Sequence, residues 1–306
     1  MSSNRGQLIR GSQWTLRIAG TILVRSVPVL RRASGQGSPT RVPDGIVRGP
    51  VDAGGVQSEW LAPPETLTDA VLLHLHGGGG VLGLYNSERR IASHIAAACE
   101  LRALLPDYRL GPEAPFPAGL NDCVAVYRWL LSTGFAPDRI IISGDSAGGY
   151  LTLSTLLTLR DGHDPLPAAG ICISPNTDPT CSGRTMRTNR GRDALLSPTF
   201  ARTLMRHYVG NHDLADPCIS PLMAELHGLP PLLIQAGADE ILLDDSVRFS
   251  ERAQAAGVEV TLEIWPHMWH VWHGCAPGLE EANRAIQGIA EFARGHLAMR
   301  PTTRCS

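Results

Sequence analysis

From residue 56 onward, short apolar runs alternate with longer stretches in which apolar residues recur at helical spacing. The short runs predict strands at Ala70–His76, Ala103–Pro106, Arg139–Ser143, Gly170–Ser174, Leu232–Gln235 and Val258–Trp265. The longer stretches predict helices at Glu88–Leu101, Leu120–Leu131, Ala147–Arg160, Asp244–Ala256 and Glu280–Leu297. Strands that alternate with helices indicate βαβ units, so we expect an α/β fold with a mostly parallel central sheet flanked by helices.

Residues 176–226 break this alternation. They are rich in Arg, Pro and Thr, and their one helical pattern lies at Pro198–Tyr208. We therefore expect an insertion that lies over one end of the sheet.

The N-terminal residues 1–48 are strongly basic, with eight Arg against a single acidic residue, whereas the rest of the chain has 19 Arg against 28 acidic residues. Trp14, Ile18 and Ile22 recur there at helical spacing, which predicts a helix whose apolar stripe packs on the body of the protein. A cleaved secretory signal and a helix lying on an anionic membrane are the alternatives. The apolar core before Arg25 is short for a signal.

The composition excludes several kinds of chemistry. The 306 residues carry a net charge of −2, so no overall basic field attracts nucleic acid. All 27 basic residues are Arg. The lack of Lys rules out Schiff-base chemistry, Ser–Lys dyads and the lysines of P-loop enzymes and kinases.

Seven cysteines are scattered along the chain without a C-x-x-C motif. This pattern is typical of reduced, structural thiols in a cytoplasmic protein, and it gives no zinc cluster. No apolar run reaches the roughly 18 residues that a membrane span needs.

The sequence Gly144-Asp145-Ser146-Ala147-Gly148 is a G-x-S-x-G motif between a predicted strand and a predicted helix. This placement is typical of a nucleophile elbow, in which Ser146 projects above the sheet. A Gly-rich turn that binds phosphate is the alternative. A second motif, His76-Gly77-Gly78-Gly79-Gly80, ends another predicted strand, and its backbone N–H groups could stabilise an oxyanion.

A nucleophilic serine needs a base, and the base needs a carboxylate that orients it. Asp239 follows a predicted buried strand and is our first candidate for the carboxylate. Its rivals, which are more typical of helix-start residues, are Glu240, Asp244 and Asp245. Three histidines follow the last predicted strand, and composition does not separate them as the base: His267, His270 and His273.

The sequence resembles the hormone-sensitive-lipase-like esterases of the α/β-hydrolase fold, also described as bacterial lipolytic family IV. The resemblance lies in HGGG at 76–79, DYRLGPEAPFPA at 107–118, GDSAGG at 144–149, GADEILLDD at 237–245 and HMWHVW at 267–272. It implies that Ser146 is the nucleophile, Asp239 the orienting carboxylate and His270 the base. The N–H groups of Gly77, Gly78 and Ala147 are then expected to form the oxyanion hole.

The resemblance also implies a cap over the site. The expected organisation is an N-terminal cap segment at 1–45, a catalytic core at 46–175 and 227–306, and a cap insertion at 176–226. The family usually has Gly at the position of His267 and Phe at that of Trp272, so both are expected to affect the substrate pocket. Other candidates for the pocket lining are Trp14, Met186, Phe200, Leu204, Met205 and Tyr208.

The expected activity is hydrolysis of short-to-medium acyl esters through an acyl-serine intermediate, without a metal or organic cofactor. The same residues would also serve a deacetylase, an amidase or a lactone hydrolase. A ligand receptor on an inactive hydrolase scaffold is a further alternative, which the presence of His270 disfavours. The resemblance implies a homodimer that is not inserted in a membrane.

Overall fold

The computed structural model describes residues 4–35, 42–64 and 66–297. The strands are β1 (Val47–Asp52), β2 (Gln57–Ala62), β3 (Leu67–Leu75), β4 (Leu101–Pro106), β5 (Ile140–Asp145), β6 (Ala169–Ile173), β7 (Leu232–Gly237) and β8 (Val260–Trp265). The helices are α1 (Asn4–Leu23), α2 (Val27–Ala33), α3 (Asn86–Cys99), α4 (Ala118–Ser132), α5 (Ala147–Asp161), α6 (Thr185–Thr188), α7 (Pro198–Val209), α8 (Leu243–Ala255) and α9 (Glu280–Leu297). Parts of the segments 1–45 and 227–306, including Cys305, lie outside the described residues.

In the described chain, the strands form one sheet in the order β1-β2-β4-β3-β5-β6-β7-β8. β2 pairs antiparallel with both of its neighbours, and the strands from β3 to β8 are parallel. The carboxyl ends of the parallel strands therefore share one edge, where ligands bind in open α/β sheets. The expected α/β architecture is confirmed.

The core has two layers because both faces of the parallel strands are covered. Alternate residues of β3 separate accordingly: Val71 and Leu73 lie in the layer beneath α4, α5 and α8, whereas Leu72 lies in the layer beneath α3 and α9. Ile142 and Ile141 of β5 separate in the same way. The six predicted strands and five predicted helices are present with small shifts at their ends.

The hydrophobic pattern did not predict β1 and β2. β1 has the sequence Val-Arg-Gly-Pro-Val-Asp and is mostly exposed. It lies at the edge of the sheet, where Pro50 is tolerated since one side of the strand needs no ladder hydrogen bonds. Its pairing with β2 is therefore set by tertiary contacts and not by a hydrophobic run.

The expected packing face of α1 is only partly right: Trp14 packs against the core layer beneath α3 and α9, but Ile18 and Ile22 do not. Ile18 and Ile22 are 58% and 67% exposed, so they do not pack on the body. The inner face also carries Arg10 and Arg17, which bond to groups of the body. Gly20 lies on the same face, and because it has no side chain the ring of Phe200 on α7 approaches it closely. Polar groups that bond to loop carbonyls thus hold α1 in place, and these contacts are invisible to an apolar-periodicity argument.

The described cysteines are all free thiols. Cys99, Cys123 and Cys172 are buried in the core, and burial raises the pKa of Cys99 to about 12. Among the helices of the described residues, none is both long and apolar enough to cross a membrane.

Candidate active site

Ser146 lies at the turn between β5 and α5, at the carboxyl edge of the sheet. Its backbone has φ 53° and ψ −114°, a conformation that costs a non-glycine residue of order 1–3 kcal/mol. The Ser146 N–H donates to the carbonyl of Ile173 at the end of β6 at 2.8 Å, which helps hold the turn. The side chain is half-buried and its hydroxyl stands where the strands end.

The flanking glycines permit this turn because they bring strand and helix together. A Cβ at Gly144 would overlap the backbone of Gly148, and a Cβ at Gly148 would overlap the carbonyl of Leu75 on β3. The G-x-S-x-G spacing is thus a steric requirement of the turn, as expected for a nucleophile elbow.

His270 is the histidine that the structure brings to Ser146. Its Nε2 lies 2.8 Å from Ser146 Oγ, and the residue is 3% exposed. His273 is fully buried and its Nε2 bonds to Gln235 Oε1 at 2.7 Å, and burial lowers its pKa to about 3. His267 is exposed. The three candidates that composition left equivalent are therefore separated by position.

The carboxylate beside His270 belongs to Glu240 and not to Asp239. Glu240 Oε2 lies 3.5 Å from His270 Nδ1, on the opposite side of the imidazole from Ser146, and Glu240 is fully buried. The assignment of Asp239 as the orienting residue is therefore corrected.

In the acid turn, Gly237–Glu240, Asp239 is paired with arginines and not with the imidazole. Its N–H donates to the carbonyl of Met268 at 2.9 Å. Its carboxylate pairs with Arg10 of α1 at 2.8 Å and with Arg192 at 2.5 Å. Arg10 also donates to the carbonyls of His267 and Arg192, so it ties α1 to the segments on both sides of the site.

The other two carboxylate candidates have structural partners. Asp244 accepts a hydrogen bond from the Thr185 N–H at 3.1 Å. Asp245 is buried and accepts from the N–H groups of Thr177 and Asp178, and burial raises its pKa to about 8. Neither of these two carboxyl groups is paired with His270.

The pKa values of His270 and Glu240 reflect their mutual contact. Burial lowers the pKa of His270, but the hydrogen bond to Glu240 and the charge of Glu240 outweigh it, so the pKa lies above its ordinary 6.5. Burial raises the pKa of Glu240, and the contacts with His270 and Ser174 oppose that shift. An imidazole with this partner can take up a proton from Ser146 and hold it.

The glycine loop, Gly77–Gly80, lies beside Ser146 at the end of β3. The Gly77 N–H already donates to two carboxylate oxygens, Glu88 Oε2 at 3.2 Å and Asp145 Oδ1 at 3.1 Å. Gly77 is therefore not a free donor, and its assignment to the oxyanion hole is corrected. Ala147 opens α5, where the first N–H groups of a helix have no intrahelical acceptor.

Helix α7 packs directly on the glycine loop. Gly79 and Gly80 have φ of 67° and 66°, and a Cβ at Gly79 would lie 2.6 Å from Leu204 Cδ1. A Cβ at Gly80 would overlap the ring of Tyr208, which is 1% exposed. Two of the residues expected in the pocket, Leu204 and Tyr208, thus lie against the loop.

The remaining pocket candidates have other surroundings. Phe200 packs between α1 and α7, and Met186 and Met205 lie in the buried clusters beside it. Trp14 is half-buried, with the Arg17 guanidinium 4.3 Å from its ring centroid. Neither Phe200 nor Trp14 is a hydrogen-bond partner of Ser146 or His270 among the described residues.

Trp272 and His267 do not line a pocket as expected. Trp272 is fully buried and packs against Trp265 at a ring-centroid distance of 6.0 Å, in the core layer beneath α9. His267 has φ 63°, which disfavours residues with a Cβ. This conformation is one that Gly adopts more readily, and the exposed His267 side chain does not crowd Ser146.

Comparisons with known proteins agree with this fold. A family model described as the alpha/beta hydrolase fold matches residues 72–274. An acetyl-hydrolase from Streptomyces hygroscopicus is 42% identical over 253 residues, which cover 83% of each chain. A solved esterase of the bacterial hormone-sensitive lipase family has a TM-score of 0.86 and 40% identity, covering 94% of this chain and 98% of that one. EstE5, solved after soaking with p-nitrophenyl butyrate, has the same TM-score and identity and is covered to 99%.

The chain belongs to the α/β-hydrolase family and, within it, to the hormone-sensitive-lipase-like esterases. It is a carboxylic ester hydrolase.

Proposed function

We propose that the protein hydrolyses esters of short acyl chains through an acyl-enzyme on Ser146, with His270 as general base and Glu240 as the carboxylate that orients it. The observation that carries this proposal is the strained Ser146 with its Oγ 2.8 Å from His270 Nε2. A hydroxyl held in this way can lose its proton to the imidazole as it attacks an ester carbonyl.

The proton then follows one route through both halves of the reaction. His270 Nε2 takes the proton of Ser146 Oγ, and the resulting imidazolium protonates the alcohol that leaves. Glu240 Oε2 lies 3.5 Å from His270 Nδ1 in a buried setting. Glu240 therefore accepts from Nδ1–H and stabilises the imidazolium. Water deacylates Ser146 by the same steps in reverse.

The oxyanion of each tetrahedral intermediate is proposed to accept from the N–H groups of Gly78 and Ala147. Gly78 directly follows Gly77, whose N–H is held by Glu88 and Asp145. The φ of Gly78 is 97°, a conformation that favours a residue without Cβ. Ala147 adds the positive end of α5.

The residues of α1, α2 and 176–226 are proposed to form the cap over this site. α7 rests on the glycine loop through Leu204 and Tyr208, and α1 rests on α7 through Phe200. Large buried side chains so close to the loop leave little depth for an acyl chain. This supports small acyl groups, in line with the acetyl group in the name of the Streptomyces relative.

We expect the hydrolysis of p-nitrophenyl esters to be fastest for acyl chains of about four to six carbons. Each methylene adds about 0.8 kcal/mol of binding only while it finds an apolar wall. The measurement is kcat/KM across the series from acetate to palmitate. A profile that still rises at palmitate, with activation at an oil–water interface, would contradict the closed cap.

Arg10→Ala is expected to lower the midpoint of thermal unfolding by roughly 3–8 °C and to raise KM. The substitution leaves Asp239 buried with Arg192 as its remaining partner and frees the carbonyls of His267 and Arg192. Calorimetry and ester kinetics on this variant provide the test, with the exposed Arg25→Ala as the control. Equal behaviour of the two variants would show that α1 does not stabilise the site.

A further inference from the structure

Two carboxyl groups lie together behind the glycine loop. Glu88, on α3, and Asp145, at the end of β5, both accept from the Gly77 N–H, at 3.2 and 3.1 Å. The two carboxyl groups therefore lie side by side at one donor. Two ionised carboxylates this close repel each other, whereas a carboxylic acid can donate its proton to a neighbouring carboxylate. The arrangement favours one neutral member of the pair.

The surroundings favour Glu88 as the neutral member. Burial raises the pKa of Glu88 to about 8, and the charge of Asp145 adds to the effect. In the described part of the chain, no arginine forms an ion pair with either carboxyl group. The shared proton therefore removes the charge repulsion that a neighbouring cation would otherwise offset. The other ionisable groups that face the pair or influence it by charge include His74, His76, Tyr85, Asp107, Tyr108, His270 and His273.

The space around Gly77 is tight, so the position of this carboxyl pair affects the conformation of the glycine loop. A Cβ at Gly77 would overlap Asp145 Oδ2. Asp145 itself is 3% exposed and is the residue directly before Ser146. Glu88 is half-buried, so it is the member of the pair that can move toward solvent. Its position thus decides whether the Gly77 amide keeps both acceptors.

We propose that Glu88 is a positioning residue that, as a neutral acid sharing its proton with Asp145, holds the glycine loop in the geometry needed to bind the oxyanion. Ionisation of Glu88, with loss of its proton to water, places two negative charges beside one N–H. Their repulsion moves Glu88 away and frees the loop. This inference rests on the proposed function of the site, and its test includes a readout that does not.

The kinetic test compares Glu88→Gln with Glu88→Ala. Gln keeps an acceptor for the Gly77 N–H and a donor for Asp145, but it does not ionise. We expect kcat of the wild type to fall above about pH 8, whereas kcat of Glu88→Gln stays level and lies within about three-fold of wild type at pH 7. Glu88→Ala should lower kcat about ten-fold at pH 7 with little change in KM.

The second readout is the pH dependence of thermal unfolding. Because the folded protein holds Glu88 neutral above the ordinary carboxyl pKa of 4.5, the wild type loses stability as pH rises from there to about 8. Glu88→Gln lacks this loss. The drop in unfolding temperature between pH 5 and pH 8.5 should therefore be smaller in Glu88→Gln than in the wild type. The exposed Glu291→Gln, on α9, serves as the control and should match the wild type.

The outcomes separate the two claims. An active wild type whose alkaline decline in kcat and whose pH-dependent unfolding are both retained in Glu88→Gln would overturn the role of Glu88. A wild type that hydrolyses no ester would overturn the proposed function. In that case the unfolding comparison still decides whether Glu88 holds the shared proton.

Discussion

Ser146→Ala should lower kcat for p-nitrophenyl butyrate by about 10⁴-fold or more. The variant keeps the glycine loop and substrate contacts, but it has no oxygen to form the acyl-enzyme. Its turn remains as strained as before, so the unfolding temperature should change little. The measurement is kcat together with a thermal unfolding curve of the same preparation.

The control for this prediction is Ser174→Ala. Ser174 also has a positive φ, of 48°, and its Oγ accepts from the Val271 N–H, but it does not bond to His270 Nε2. We expect a loss of activity at least about 100-fold smaller than for Ser146→Ala. Turnover near the wild-type rate in Ser146→Ala would contradict the proposed nucleophile.

Glu240→Gln should lower kcat by roughly 10³- to 10⁴-fold, whereas Asp239→Asn should have a much smaller effect. The amide of the Glu240→Gln variant has no negative charge to hold the Nδ1–H tautomer or to stabilise the imidazolium. The Asp239→Asn variant has two weakened ion pairs, with Arg10 and Arg192, which affects stability first. The two adjacent variants, assayed side by side, thus compare two carboxylates with different partners. A severe loss in Asp239→Asn and a mild one in Glu240→Gln would return the orienting role to Asp239.

The pH dependence of the rate provides a second test of the role of Glu240. Since Glu240 raises the pKa of His270 above 6.5, the rate of the wild type should rise with pH through a midpoint above that value as the neutral imidazole forms. Without the charge of Glu240, burial lowers the pKa of His270. The residual activity of Glu240→Gln should therefore rise at a lower pH than that of the wild type.

The sequence was sufficient for the features that depend on local pattern. Buried parallel strands consist of continuous apolar runs, so β3 and β5 were predicted, and their ends identified the glycine loop and Ser146. The edge strand β1 and its neighbour β2 have no such run, which is why both were missed. The steric need for Gly144 acts against Gly148, four residues later, so the spacing of the motif indicated the turn, although Gly148 also faces the remote carbonyl of Leu75.

The choice between Asp239 and Glu240 depended on contacts that are remote in sequence. Arg10 lies 229 residues before Asp239 and draws its carboxylate away from the histidine. The adjacent Glu240 faces His270 instead, with its Oε2 3.5 Å from Nδ1. The only available signal was the pair of adjacent acids, which placed Glu240 among the rivals.

The assignment of Gly77 failed for a related reason. The HGGG motif indicates that amides point toward an oxyanion, but it does not say which of them are already occupied. Gly77 is occupied by Glu88, eleven residues later, and by Asp145. The stripe of α1 was only partly right: Trp14 packs on the body, but Ile18 and Ile22 are exposed, and arginines supply further contacts.

The most direct test of the central claim is covalent trapping of the nucleophile. The protein is treated with a p-nitrophenyl alkylphosphonate of short chain, digested, and analysed by peptide mass spectrometry. We expect one adduct, on Ser146, formed at a rate that falls when His270 is replaced by Ala. An adduct on another residue, or full loss of activity without a modified Ser146, would contradict the account.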